Sequence, residues 1–123
     1  MATVAPTRPG LPADNLGGLN KNGVWRWVLA ADDVGEPIKA HMFPDRTVQV
    51  FGTFGGATVT FQGSLGEGSY ATLVDQSDNF LSFTAGPKIE AIAPNTVWVR
   101  PFVTGGDGTT SITVLLLAGG NKS

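Results

Sequence analysis

Residues 48–64 read VQVFGTFGGATVTFQGS, two alternating apolar segments that meet at Gly55-Gly56. In the second segment Ala57, Val59 and Phe61 fall on one face of an extended chain. Thr58, Thr60 and Gln62 fall on the other, the period of two that marks a half-buried strand. Gly-Gly between two such segments tolerates the positive φ of a tight turn without a Cβ penalty, so a β-hairpin is expected here. A phosphate-cradling loop would need a following helix and a lysine, and ATVTFQG supplies neither.

The same reading extends in both directions. VWRWVLA from Val24, EPIKAHMF with a turn at Pro44-Asp45, SYATLVD, NFLSFT, TVWVRPFV and TSITVLLLA add further candidate strands. Together they make about eight short strands, most of them separated by Gly, Pro, Asp or Asn. No window sustains a 3.6-residue period over three turns, so the expected fold is all-β: an antiparallel β-sandwich, jelly-roll-like. TFGGATVTF and VTGGDGTTSITV share a form, a Gly-Gly turn leading into a Thr-rich strand, which suggests two hairpins on a common plan. The expected organisation is an extended Pro/Gly-rich N-terminal arm over 1–23, a sandwich domain over 24–118 and a flexible C-terminus over 119–123. Pro6, Pro9 and Pro12 recur every third residue, as suits an extended segment. Such an arm is either a disordered tail or a segment that orders on a neighbouring subunit.

The chain has 123 residues, of which 41% are hydrophobic, enough for one domain with a true core. Only 15% are charged, against about 25% in typical soluble domains. The net charge is -2 and the eight basic residues are scattered. Direct nucleic-acid binding is therefore not expected. The absence of cysteine excludes disulfides and thiolate metal sites. The N-terminus lacks the pattern of a signal peptide, and the apolar run Val114–Ala118 is too short for a membrane helix, so no membrane partner is expected.

Catalytic chemistry finds little to stand on. His41 is the sole histidine, no G-x-S-x-G elbow exists, and a zinc site would lack a second His or Cys. Most of the ten acids sit beside Gly or Asn, where turn hydrogen bonding accounts for them. GGDGTTS, Gly105 to Ser111, lacks both the P-loop lysine and the regular carboxylates of a calcium loop, and Asp107-Gly108 reads as a hairpin turn. Asp75-Gln-Ser-Asp-Asn79 is a weak calcium candidate. No catalytic residue, metal ligand or cofactor is expected.

Interaction surfaces are better signalled. Trp25 and Trp27 share a strand face that should turn inward, because the opposite face carries Arg26. Trp98 shares a face with Arg100 and Phe102, residue types enriched at protein interfaces. Pro101 removes a ladder donor, which hints at an edge strand or bulge. In SITVLLLAG, Ile112, Val114 and Leu116 take one face and Leu115 and Leu117 the other, so both faces of this strand need cover. Interface candidates are Pro9, Pro12, Trp98, Arg100, Phe102, Leu115 and Leu117. A sugar-stacking platform on Trp98 or Tyr70 stands beside the protein-interface reading.

The combination RTVQVFGTFGGATVTFQGS, TLVDQSDNFLSFT and IEAIAPNTVWVRPFVTGGDGTTSITVLLL, spanning Arg46 to Leu117, resembles small virion structural proteins of tailed bacteriophages. VRPFVTGGDGTTSITV is its most distinctive part. The chain departs from the commoner pattern at SLGEGSYATL, where relatives often read SNDG with a following Trp; Tyr70 then takes the packing role of that Trp. The resemblance implies a non-enzymatic capsid decoration or cement protein on the outer capsid surface of a virion. Its implied partners are the major capsid protein and further copies of itself, as in a homotrimer. The alternative is a tail or head-tail module that binds host carbohydrate.

Overall fold

The computed structural model describes residues 3–7, 23–39, 45–66, 68–94 and 96–119. They form eleven strands: β1 (Thr3–Val4), β2 (Gly23–Leu29), β3 (Val34–Gly35), β4 (Ile38–Lys39), β5 (Asp45–Thr53), β6 (Thr58–Ser64), β7 (Ala71–Thr72), β8 (Ser82–Phe83), β9 (Lys88–Ala91), β10 (Trp98–Thr104) and β11 (Ser111–Gly119). Among the described residues there is no helix.

The strands make two sheets. Sheet A has seven, in the order β1-β3-β10-β6-β7, with β4 also on β10 and β8 also on β6. Sheet B has four, in the order β2-β11-β5-β9. One core lies between them, drawn from Trp27, Val48, Val50 and Leu116 of sheet B and Val59, Phe61, Val99 and Val103 of sheet A. Trp27 sits at its centre, edge-on to Phe61 at 6.3 Å, and its indole N–H donates to the Glu36 carbonyl at 3.1 Å. That bond removes the cost of burying the indole nitrogen. The architecture is thus the expected all-β sandwich, with one exception to its antiparallel pairing: β1 runs parallel to β3.

The expected hairpin at Gly55-Gly56 is absent. The turn itself is present: Gly55 and Gly56 have φ of 57° and 86°, and the Ala57 amide donates to the Phe54 carbonyl at 2.9 Å. The strands on either side do not pair, because β5 lies in sheet B and β6 in sheet A. The connection is an arc from one sheet to the other. Its physical reason is that Val48 and Val50 of β5 and Val59 and Phe61 of β6 must all be buried. Placing them opposite one another across the core does this. The echoing segment behaves alike, since β10 is in sheet A and β11 in sheet B, so residues 104–111 form a second arc rather than a hairpin. Thr110 ties the two arcs together: its hydroxyl donates to the Phe54 carbonyl at 3.0 Å and accepts from the Asp107 amide at 2.9 Å.

Pro101 does not mark an edge. β10 is central, between β6 and the β3/β4 pair. Pro101 lies opposite Phe61, whose own amide and carbonyl bond away from β10, to Leu81 and Leu73. The proline nitrogen therefore faces the other neighbour, where the strand is interrupted between Gly35 and Ile38, so no ladder donor is lost. Gly35 is required at this break: a Cβ there would come within 2.5 Å of the Pro101 ring and 2.8 Å of the Trp27 indole.

The folded part also begins before Val24. Thr3 and Val4 pair with Val34 and Gly35 at the edge of sheet A, and Thr7 exchanges two 2.8 Å hydrogen bonds with Arg26 at the edge of sheet B. Val4 packs against the core. The first residues of the expected arm are thus part of the sandwich. Pro9 and Pro12, like His41, lie outside the described residues.

Candidate functional site

The alternation of each strand sends its second set of side chains outward, so each sheet offers an outer face. On sheet B the register aligns three cross-strand rows: Val28, Thr113 and Phe51; Arg26, Leu115, Gln49 and Ile89; Val24, Leu117, Thr47 and Ala91. Ile89 is 61% exposed, Val28 47% and Leu117 44%. Between the last two rows lies an apolar depression of about 220 Å³ lined by Val24, Thr47, Gln49, Ile89, Leu115 and Leu117. Arg26 is the one charged residue in these rows. Exposed apolar side chains scattered singly are ordinary; here Val24, Ile89, Leu115 and Leu117 gather around one depression.

The outer face of sheet A is different. Trp98, Arg100 and Phe102 of β10 stand opposite Ser64, Gln62 and Thr60 of β6. The Arg100 Nε donates to the Gln62 Oε1 at 2.9 Å, and its guanidinium lies 3.9 Å from the Tyr70 ring centroid and 5.5 Å from that of Phe102. The Lys39 ammonium sits 5.8 Å from the Trp98 centroid. Cations over aromatic faces are attracted by the ring quadrupole, and the amide oxygen takes one of the guanidinium donors. This face is a set of groups already partnered within the chain. A sugar stacking on Tyr70 or Trp98 would compete with these cations for the rings.

The structure therefore splits the interface candidates. Trp98, Arg100 and Phe102 lie on sheet A, and Leu115 and Leu117 lie on sheet B, on opposite sides of the core. Val24, Val28 and Ile89 belong with Leu115 and Leu117 but were not singled out from the sequence. Ile89 alternates with Lys88 and Glu90, a pattern that reads as an ordinary exposed strand until its neighbours are known.

The acidic candidates resolve into turn chemistry. The Asp75 carboxylate accepts from the amides of Ser77 and Asn79 at 2.8 and 3.0 Å, and these bonds hold it below the usual carboxylate range. It borders a depression of about 350 Å³ that Lys88 also lines. Asp107 is lowered in the same way by the hydroxyl and amide of Thr109. Asp32, with φ of 58°, accepts from the Gly105 amide at 2.8 Å, and Asp33 accepts from Ala30 at 2.8 Å. Asp32 ties its turn to Gly105, while Asp33, Asp75 and Asp107 each hold their own turn. Among the described residues no three His, Cys, Asp or Glu side chains gather to hold a metal ion.

Arg46 was not anticipated. It continues the inward row of Val48 and Val50 and is almost fully buried, and its guanidinium donates to both the carbonyl and the hydroxyl of Thr96. Burial lowers its pKa from the usual arginine value. Thr96 in turn donates to the Trp98 carbonyl at 3.0 Å. The signal was visible as an arginine in phase with buried valines. Its role is to close the end of the core with hydrogen bonds, since an unpaired charge there would be costly.

No family model and no curated protein matches the sequence. Among solved structures, the chain is similar to the SPBc2 prophage-derived protein YomS, with a TM-score of 0.64 at 12% identity, over 81% of this chain and 96% of that one. It is also similar to recombinant oxalate oxidase in complex with glycolate, with a TM-score of 0.52 at 18% identity, over 97% of this chain. The match spans 53% of the oxalate oxidase chain. At such identities the likeness is one of fold.

Proposed function

We propose that the chain is a non-enzymatic structural protein of a bacteriophage virion, a decoration or cement protein that binds the outer capsid surface and stabilises the shell. The observation that carries this reading is the outer face of sheet B. Ile89 and Leu117 are exposed there and line an apolar depression, Val28 is exposed on the same face, and Arg26 is the one charge in the rows. Burying such a face contributes about 25 cal/mol per Å² of apolar area removed from water. The fold shared with a prophage-derived protein and the resemblance over Arg46 to Leu117 supply the setting.

The mechanism is binding free energy alone. A subunit docked across the junction of several major capsid protein copies, or joined with its own kind as a homotrimer, engages several weak contacts at once. A protein that binds the assembled shell better than its dissociated parts shifts the equilibrium away from rupture. No cofactor takes part.

The test is to add purified protein to particles that lack it, then measure binding and survival under heat or pressure. Saturable binding with raised resistance is expected, and failure of both would overturn the reading. The alternative, a tail or head-tail module that stacks host carbohydrate on Trp98 or Tyr70, has less support. Each of those rings already carries a cation of the same chain.

A further inference from the structure

Residues 3–7 cross one open side of the sandwich and pair with both sheets. Val4 accepts from the Glu36 amide at 2.7 Å on sheet A, and Thr7 exchanges its two bonds with Arg26 on sheet B. β2 is the outermost strand of sheet B, and β3 would end sheet A on that side without β1. An uncovered strand edge is a template for any chain that offers matching backbone groups. The strap thus fills two edge slots at once, and Val4 adds its side chain to the core.

The covalent connection is far longer than this closed arrangement needs. Residues 8–22, fifteen in all, join Thr7 to Gly23. Thr7 lies opposite Arg26, and Gly23 is three positions from Arg26 on the same strand. The ends are therefore about 11 Å apart by strand geometry. A chain of that length reaches about 50 Å when extended. The same strap can reach the equivalent slots of an adjacent molecule.

We infer that residues Thr3–Thr7 exchange between copies of this chain, each strap closing the β2 and β3 edges of a neighbour. The contacts of residues 3–7 themselves are the same in the closed and exchanged forms, so effective concentration sets how they divide between the two. A fifteen-residue tether would hold its own strap at an effective concentration of about 1 mM, so dilute protein stays closed. Copies held side by side at comparable density exchange. This inference rests on the strap and stands or falls independently of the capsid reading.

The chain has no cysteine, which permits a clean test. Thr7 and Arg26 form a hydrogen-bonded antiparallel pair, whose Cα separation of about 5.5 Å lies within disulfide range. One chain carrying Thr7→Cys and a second, larger tagged chain carrying Arg26→Cys are mixed and oxidised. A disulfide between them forms only across molecules. Thr109→Cys, exposed in the arc at the far end of β11, replaces Arg26→Cys as the collision control. The expected result is a mixed Thr7–Arg26 dimer that exceeds the control about tenfold as protein concentration approaches about 1 mM. A yield equal to the control at every concentration would overturn the inference. The double variant, Thr7→Cys with Arg26→Cys, should close within one chain when dilute. If it does not, the strap does not occupy these slots and the inference also fails.

Discussion

The two outer faces of the sandwich arise from the same alternation, yet they differ in what their side chains still need. On sheet A, Arg100 is bonded to Gln62 and stacked on Tyr70, and Lys39 covers Trp98. On sheet B, among the described residues, Ile89 and Leu117 stay largely exposed beside a depression they line with Val24, Thr47, Gln49 and Leu115, and Val28 is exposed on the same face. Aromatic and arginine residues point to an interface when taken one by one. Here they partner each other, while the plainer aliphatic face keeps Ile89, Val28 and Leu117 exposed. Residue type alone is a poor guide to a docking surface; what matters is whether its groups are already partnered.

The comparison can be broken at three points, in decreasing order of effect. Trp27→Ala removes the side chain that both sheets share, and its indole bond to Glu36. It should cost about 3–5 kcal/mol of stability and weaken both faces together. Urea denaturation measures it, and a loss below about 1 kcal/mol would mean that the sheets are not held through this residue.

The paired change Leu117→Asp with Ile89→Asp places two charges on the outer face of sheet B. Shell binding should fall at least about tenfold, equivalent to about 1.4 kcal/mol, while the denaturation midpoint moves little. Sedimentation of the variant with shells reads the first quantity and thermal melting the second. Unchanged binding would move the docking surface elsewhere.

Arg100→Ala tests the opposite face. It removes a hydrogen bond and two ring contacts, so stability should drop by about 1 kcal/mol, with shell binding kept. A variant that melts as the parent does but no longer binds shells would reverse the assignment of the two faces.

Much of this was legible in the residues. The inward set of β6 and the inward Trp25/Trp27 face follow from alternation, and Thr58, Thr60 and Gln62 lie outward as their polarity demands. The turn residues were also legible: Gly55 and Gly56 take positive φ, and Asp75 and Asp107 bond to amides of their own turns. The pairing of strands was not. A Gly-Gly turn has the same local geometry whether the following strand returns beside its predecessor or crosses to the facing sheet. The strap was hidden for a related reason, because TVAPT offers few side-chain cues and docks mainly through backbone groups.

The sequence by itself determined a two-layer β protein, the inward and outward sides of its longer strands, and the turn chemistry between them. These are local properties, set by side-chain period and by the φ values glycine and aspartate accept. Tertiary structure decided which sheet each strand joined, how Arg46 was partnered and which outward side chains found partners among the described residues. Each of those depends on groups far apart in the chain. The cost of leaving backbone or apolar surface unpaired is settled only once the two sheets have met.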